Sequence, residues 1–283
     1  MRSGWLLLVL VFWVAAVTAE PVERRFDGTT LKADYSAPTE PGHGVVLLYP
    51  DASRPEAAVW QPLQEALASA GYGVLVARPH GGDGSCNGPW NRLHRDGMAE
   101  VGGWFDWLLR RGIARVHFMG EGRGGNQVAW FLAHSRHPAL GAALLVDPLV
   151  WRFEEAAADY RRQHGQPLAP LLERARELRA QGRADELLRG VGFLHCEAMD
   201  VSAAALLDYY AEEPSLDTSR LIGDLPGRAA ILVGPEHPGG GRLERAADGA
   251  GAEFRVLTGG LTAEAPGAVV RFLRARGEDA AGQ

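Results

Sequence analysis

The sequence is poor in lysine and has no long apolar run, and each scarcity excludes a class of protein. Lys32 is the single lysine, and the chain carries a formal net charge of −6 with a pI of about 5.9. Nucleic-acid binding needs a basic surface, so we expect no nucleic-acid partner. The apolar run Trp5 to Val17 is shorter than the roughly 20 residues that span a bilayer.

That short run instead has the form of a secretory signal peptide. Arg2 precedes it, and small residues at Val17 and Ala19 follow its apolar centre. We predict that residues 1–19 are a signal peptide cleaved after Ala19. A buried N-terminal strand or helix is the alternative. No cysteine follows the run, which argues against a lipid anchor. The predicted location is therefore the periplasm, with membrane contact only through the signal peptide.

Cysteine is scarce as well, since only Cys86 and Cys196 are present. Export permits a disulfide between them, and the bond would tie a loop to a later part of the chain. Two free buried thiols are the alternative, and both readings stay open.

The rest of the chain alternates between strand-like and helix-like segments. Polar and apolar residues alternate around Asp27 and Gly28, which indicates a hairpin. Solid apolar runs, typical of strands buried on both faces, lie at 45–50, 73–79, 116–120 and 141–148. Helices are predicted at 55–70, 98–110 and 123–134.

From about 150 to 220 the strand–helix alternation stops. Charged amphipathic patterns there predict helices at about 170–190 and 200–214. Strand–helix alternation then returns. We predict one α/β domain over 20–276, with a mostly parallel sheet, helices on both faces and a helical insertion. Residues 277–283 are expected to be a flexible tail.

A glycine-rich turn follows the third apolar run, in "VHFMGEGRGGNQVAWF" (116–131). Gly120, Gly122 and Gly125 fit the G-x-G-x-x-G fingerprint of dinucleotide-binding proteins, with Asp147 near the place of the ribose-binding acid. That fingerprint normally opens the first strand–helix unit, whereas two units precede this one. A soluble nicotinamide cofactor is also not expected outside the cytoplasm. Dinucleotide binding stays an alternative, and we expect no cofactor.

The same turn also fits a nucleophile elbow, in which small residues flank a nucleophile held on a strained strand-to-helix turn. The elbow residues would be Gly120, Glu121, Gly122, Arg123 and Gly124. The stretch "MGEGRGGNQVAWF" resembles the "GHSRGGNQ" elbow of a group of α/β-hydrolase-fold proteins. "LLDYYAEEPSLDTSRLIGDLPGRAAILVGPEHP" resembles the stretch that leads those proteins from their cap to the strand before the catalytic acid. The resemblance implies an α/β-hydrolase fold with a cap at about 150–220.

Against that family pattern, the catalytic residues are missing. Gly122 stands at the nucleophile position, and no histidine follows His237 to act as base in the loop after the last strand. The remnant acid would be Asp147 or Glu236. A catalytic triad works as a unit, and losing one member costs orders of magnitude in rate. The sequence therefore predicts a degenerate triad and a protein without ordinary acyl-transfer activity.

Part of the oxyanion hole is expected to remain, because its donors are backbone N–H groups. One would come from Arg123, and the other from the loop after the first buried strand, at Asp51 or Ala52. The acidic side chain of Asp51 would repel a developing oxyanion, a third departure from the family pattern.

A relocated active site is the main catalytic alternative. Ser85 and Cys86 follow the second buried strand, with His80 close by, at the same edge of the sheet as the elbow. A glycine-rich surface loop without catalytic function is the simpler interpretation of this segment.

Four residues of this region are also of metal-ligating types: His80, Asp83, His94 and Asp96. Their spacing matches no helical or tight-turn ligand pattern. We therefore expect no metal site.

Three functions stay open at this stage. The chain could bind a small apolar or carboxylated ligand beneath the cap without turnover, with Tyr209 and Tyr210 as pocket wall or as core. It could be an esterase-like hydrolase with a relocated nucleophile. It could also present the cap to a protein partner.

Overall fold

A computed structural model describes residues 19–40, 42–52, 60–79, 85–211 and 213–275. Within these ranges the strands are β1 Glu20–Phe26, β2 Thr29–Ser36, β3 Val45–Tyr49, β4 Gly73–Arg78, β5 Pro89–Trp90, β6 Val116–Glu121, β7 Leu140–Val146, β8 Leu187–Phe193, β9 Cys196–Ser202, β10 Ala229–Val233 and β11 Glu253–Val256. The α-helices are α1 Gln61–Ser69, α2 His94–Arg110, α3 Gly122–Ala133, α4 Phe153–His164, α5 Leu168–Ala180, α6 Ala203–Tyr210, α7 Gly240–Ala250 and α8 Leu261–Arg274.

Eight strands form one central sheet in the order β1-β2-β4-β3-β6-β7-β10-β11. From β4 to β11 neighbouring strands run parallel, whereas β2 is antiparallel to both β1 and β4. The expected hairpin joins β1 to β2 through Asp27 and Gly28, both at positive φ. The sheet and its helices confirm the predicted mostly parallel α/β architecture.

The four apolar runs became central strands because both of their faces are covered. In β3 every residue from Val45 to Tyr49 is buried. Its alternate side chains enter two separate apolar clusters, one on each face of the sheet. Helices α2, α3 and α7 contribute to one cluster, while α1 and α8 contribute to the other. This double coverage explains why these strands lack polar–apolar alternation.

The insertion after β7 contains the expected helices and, in addition, strands that the sequence pattern did not predict. The charged pattern predicted one helix at about 170–190, but α5 ends at Ala180 and Leu187–Phe193 is a strand. Strands β8 and β9 pair antiparallel, and β5 joins β9 in a small three-stranded sheet. The insertion has its own apolar cluster, to which Trp90 and Ala52 also contribute.

A disulfide joins Cys86, which precedes β5, to Cys196 at the start of β9. The bond links residues 110 positions apart, so the hairpin of the insertion is tied covalently to the loop between β4 and β5. Of the two interpretations that the sequence left open, the structure has the bonded one.

Several expectations fall on parts of the chain outside the described residues. These are the signal peptide up to residue 18, the tail from residue 276, the first turns of the helix expected at 55–70, and residues 80–84. Among the helices that are described, none is both long enough and apolar enough to cross a membrane.

Candidate functional site

The turn between β6 and α3 keeps the backbone shape of a nucleophile elbow without a nucleophile. Glu121 is extended, with φ −116° and ψ 145°, and Gly122 has φ +54°. Helix α3 begins at Gly122 itself. Only glycine adopts positive φ at low cost, and an elbow places its nucleophile on such a strained turn. The geometry that presents a reactive side chain is therefore present, while Gly122 has no side chain to present.

The other glycines of the turn are required by backbone packing. A Cβ on Gly120 would lie 2.5 Å from the carbonyl oxygen of Gly124. A Cβ on Gly124 would collide with the carbonyl oxygen of Tyr49 in β3. Strand β6, helix α3 and the end of β3 can approach this closely only without side chains at these positions. The glycine spacing that also fits a dinucleotide fingerprint thus has a packing explanation.

A carboxylate occupies the space next to Gly122. Asp51 follows β3 and is only 6% exposed. Its Oδ2 accepts a hydrogen bond from the backbone N–H of Arg123, at 3.0 Å. A Cβ built on Gly122 would lie 2.5 Å from the same oxygen. The side chain of Asp51 therefore takes the donor that we assigned to the oxyanion hole and fills the space of the missing nucleophile.

This carboxylate also bears on the dinucleotide alternative. A pyrophosphate would bind to the free N–H groups at the N-terminus of a helix. At α3 one of these groups, on Arg123, already donates to Asp51. A second negative charge at this end of the helix would meet electrostatic repulsion from Asp51.

The predicted remnant acids lie at the same edge of the sheet. Asp147 follows β7 at φ +40°, and its Oδ1 accepts a hydrogen bond from the backbone N–H of Gly234, at 2.8 Å. Glu236 is exposed in the turn after β10. Both residues line the same cavity as Asp51.

His237 is next to Asp147, and one of its ring nitrogens is engaged by the backbone. Nδ1 accepts a hydrogen bond from the N–H of Gly239, at 3.1 Å. Burial lowers the pKa of His237, and the charge of Asp147 acts in the opposite direction. The backbone thus holds the Nδ1 lone pair, and burial disfavours the protonated imidazole that a general base becomes.

A cavity of about 1090 Å³ extends from the elbow to the cap. Its floor includes Asp51, Gly122 and Arg123, one side is the turn after β10, and α4 together with Tyr210 forms much of the opposite side. The volume is slightly above the range usual for small-molecule sites. Ligand binding beneath the cap is one of the three functions that the sequence left open, and the cavity lies beneath the cap.

Within the cavity wall, the side chain of Arg123 lies among three aromatic rings. Its Cζ is 5.3 Å from the ring centre of Tyr209 and 5.8 Å from those of Trp151 and Tyr210. These are cation–π distances. The sequence predicted a role only for the backbone of Arg123, because nothing in its neighbouring residues indicates the rings.

The proposed relocated nucleophiles do not line this cavity. Cys86 has no thiol while it is bonded to Cys196. The Oγ of Ser85 accepts a hydrogen bond from the N–H of Asn87, at 3.0 Å. His80 lies outside the described residues.

Of the four residues considered as metal ligands, the structure describes His94 and Asp96, and both have other partners. His94 is buried and hydrogen-bonded to Asn126, and Asp96 accepts from the N–H of Leu93 at the start of α2, at 2.8 Å. Asp83 and His80 are outside the described ranges. A different group, Cys86, Cys196 and His195, has its donor atoms within 4.8 Å of one another. The disulfide uses both sulfurs, so no thiolate ligand is available there.

Two groups of buried hydrogen bonds connect β3, α2 and α3. Arg92 forms a salt bridge with Glu100 at 3.1 Å, and both contact the hydroxyl of Tyr49. In the second group, Asn126 of α3 bonds to His94 at 2.8 Å and donates to the carbonyl of Ser215 at 2.9 Å. No sequence pattern indicates these bonds, because their partners are far apart in the chain.

The comparisons with known proteins agree with this architecture. No family model and no curated protein matches the sequence. Solved structures do match. Est1E from Butyrivibrio proteoclasticus has 13% identity and a TM-score of 0.59, over 91% of this chain and 98% of that one. A carboxyl esterase from Bacillus coagulans has 11% identity and a TM-score of 0.65, over 92% and 99%.

A third match, the α/β hydrolase GrgF from Penicillium sp. sh18, has 14% identity and a TM-score of 0.62, over 86% of this chain and 90% of that one. Identities this low establish the fold and leave the chemistry to the site. The sheet order, the elbow turn and these matches together show that the chain is an α/β-hydrolase-fold protein.

Proposed function

We propose that this protein is an exported member of the fold that binds a small molecule in the cavity beneath the cap and does not form an acyl-enzyme. The observation that carries the proposal is the pair Gly122 and Asp51. The first removes the nucleophile, and the carboxylate of the second holds the N–H of Arg123 that would stabilise an oxyanion.

The other triad positions support the same conclusion. The loop between β11 and α8 contains no histidine. His237, the last histidine of the chain, accepts a backbone hydrogen bond at Nδ1, and burial lowers its pKa. A nucleophile without a base is weak, and here neither group is supplied. What persists is a cavity open to solvent on one side, whose wall combines apolar and aromatic residues with several charged side chains. A concave site with both kinds of group is suited to binding a small molecule.

Two features support export. The segment 1–19 has the pattern of a signal peptide. The disulfide between Cys86 and Cys196 fits an oxidising compartment such as the periplasm. Fractionation of cells that express the full chain, followed by N-terminal sequencing, tests this part. We expect a periplasmic protein that begins at Glu20.

Absence of acyl-transfer chemistry is tested by intact mass after treatment with a fluorophosphonate probe, with ester turnover followed on the same sample. We expect no added mass and no turnover, while an active serine esterase treated in parallel is fully labelled. A stoichiometric adduct that Ser85→Ala abolishes would establish a relocated nucleophile and overturn the proposal.

Ligand binding in the cavity is tested by thermal shift against a panel of small carboxylates, alcohols and amides. Ala156 lines the cavity and Ala180 is exposed on α5, away from it. We expect Ala156→Trp to abolish any shift seen with the wild type, and Ala180→Trp to retain it. A ligand shift that survives in Ala156→Trp would place binding elsewhere on the molecule.

A further inference from the structure

Arg123 differs from the other arginines of the cavity in lacking an acidic partner. Arg152 and Arg162 form ion pairs with Glu155 and Asp159. In the part of the chain that the structure describes, no carboxylate lies within ion-pair distance of the Arg123 guanidinium. Asp51 accepts a hydrogen bond from the backbone N–H of Arg123 and forms no ion pair with its guanidinium. The positive charge of this side chain is therefore not neutralised by an acid.

The surroundings of Arg123 hold it in place. Tyr209 and Tyr210 lie on α6, and Trp151 precedes α4, so the three rings come from two segments of the cap. Nη1 is buried and has no hydrogen-bond partner. The residue as a whole is part-exposed and lines the cavity. A guanidinium that is held in place at a cavity wall without an acidic partner is a preorganised site for an anion.

Nearby groups add further donors. Trp151 is 9% exposed, lines the cavity, and has a buried Nε1–H without a partner. The hydroxyl oxygen of Tyr210 accepts from the N–H of Leu194 at 2.9 Å, which leaves its own hydrogen to donate. Indole and guanidinium groups donate only. The group that complements this wall is therefore a hydrogen-bond acceptor with negative charge.

The charge balance favours a singly charged acceptor. Five carboxylates line the cavity, and two of them, Glu155 and Asp159, are paired with Arg152 and Arg162. The negative charge of the other three, Asp51, Asp147 and Glu236, disfavours a doubly charged ligand such as phosphate more than a carboxylate. A planar carboxylate also matches the two-pronged donor geometry of a guanidinium. The rings of Trp151 and Tyr210 offer apolar surface to the rest of the molecule.

We propose that the cavity binds a small monocarboxylate, with its carboxylate on Arg123 and its apolar body against Trp151 and Tyr210. This inference rests on the proposed ligand-binding function and gives that function its ligand class. Arg123 acts here as a binding residue, and the proposal assigns it no chemical step.

Calorimetric titration of the mature protein with benzoate tests the proposal, with benzamide as the neutral analogue of the same shape and inorganic phosphate as the multiply charged one. We expect saturable binding of benzoate, and binding of benzamide and phosphate weaker by at least about tenfold. Equal binding of benzamide, tighter binding of phosphate, or no saturable binding of benzoate would each overturn the assignment.

Variants at Arg123 test how much its guanidinium contributes to benzoate binding. We expect Arg123→Gln to weaken benzoate binding by at least about tenfold, and Arg123→Lys to recover part of the loss, since it keeps the charge without the planar fork. Arg189→Gln makes the same change of charge at an exposed site in β8 that pairs with Asp200, and we expect it to bind as the wild type does.

Circular dichroism and the thermal midpoint establish that each variant is folded before its affinity is compared. If Arg123→Gln fails to fold, Arg123→Lys alone decides, and wild-type affinity in that variant contradicts the role of the guanidinium. The outcome is independent of the labelling experiment. A fluorophosphonate adduct would refute the non-acylating function, whereas an absence of carboxylate binding would refute only the ligand class.

Discussion

Among single residues, Gly122 and Asp51 depend on each other, because a serine at position 122 would conflict with the side chain of Asp51. A serine at 122 would have to adopt φ near +54° and place its Cβ 2.5 Å from the carboxylate of Asp51. The positive φ would cost about 1 kcal/mol of backbone strain. The short distance would be a steric conflict between the serine and a buried carboxylate. Replacing the nucleophile therefore does not restore the site.

The first prediction is that Gly122→Ser lowers the free energy of unfolding by roughly 2–3 kcal/mol and produces no esterase activity. Gly182 is the matched control, because it has φ +73° and open space around a Cβ. Gly182→Ser should cost about 1 kcal/mol, the backbone term alone. Chemical denaturation measures both changes.

We assign the loss of unfolding free energy in Gly122→Ser, beyond that in Gly182→Ser, to the clash with Asp51. A double-mutant cycle tests this assignment. Adding Asp51→Ala to Gly122→Ser should recover about 1 kcal/mol or more of the loss. Additive effects of the two substitutions would show that the carboxylate is not what opposes a side chain at 122.

His94 gives a second prediction at this scale, concerning pH. Burial, followed by the charge of Arg123, lowers its pKa to about 3, although the hydrogen bond to Asn126 acts in the opposite direction. In the unfolded chain a histidine has its ordinary pKa of about 6.5. Between these two values the unfolded state binds more protons than the folded state, so stability falls as the pH falls from about 6.5 toward about 3.

His94→Gln should remove this contribution, which we expect to reach roughly 2–3 kcal/mol at about pH 4.5. Denaturation midpoints recorded across this range should fall less steeply for His94→Gln than for the wild type. The exposed His134 provides a control, because His134→Gln should keep the wild-type slope. Parallel slopes for the wild type and His94→Gln would contradict the assignment.

At the scale of whole elements, the central strands were predictable and the hairpin of the cap was not. Strands such as β3 and β7 are continuous apolar runs because both of their faces are covered. Such runs can be recognised from a single sequence. Strand β8 follows a charged helical pattern, and its pairing with β9 is made by tertiary contacts. The pattern therefore extended helix α5 past its real end at Ala180.

In the candidate site, too, some features were predictable from the sequence and others were not. The elbow and its missing serine follow from the local pattern around Gly122. The hydrogen bond from Arg123 to Asp51 joins residues 72 positions apart, and the rings around Arg123 come from the cap. Such contacts depend on how the elements pack, which the spacing of residues along one segment does not encode.

Helix α6 carries two of those rings, and its start depends on a single side chain. The Oγ of Ser202 accepts a hydrogen bond from the N–H of Ala205 at 3.1 Å, in a buried position. Ser202→Ala should lower the free energy of unfolding by about 1 kcal/mol, the usual cost of losing an N-cap. It should also weaken benzoate binding, because Tyr209 and Tyr210 lie on this helix.

Ser135→Ala is the control for the loss of a hydroxyl. Ser135 donates to the carbonyl of Phe131 after the end of α3, so it caps no helix N-terminus. We expect its unfolding free energy to stay within about 0.5 kcal/mol of the wild type. Equal losses for the two variants would show that capping is not the source of the effect at Ser202.

At the scale of the whole molecule, the protein consists of a sheet with an apolar cluster on each face and a cap with a cluster of its own. The cavity lies between the elbow and the cap. Its shape therefore depends on how firmly the cap is held to the sheet. The disulfide between Cys86 and Cys196 is the covalent connection between the loop after β4 and the hairpin of the cap.

The last prediction is that breaking this bond destabilises the protein by about 2–5 kcal/mol, since it closes a loop of about a hundred residues in the unfolded chain. The double variant Cys86→Ser, Cys196→Ser should unfold at a lower denaturant concentration than the wild type, and reductant should shift the wild type toward the variant. Reductant should leave the variant itself unchanged, which controls for other effects of the reagent. An unchanged midpoint in the double variant would mean that packing alone holds the cap, and the cavity would then keep its affinity for carboxylates without the bond.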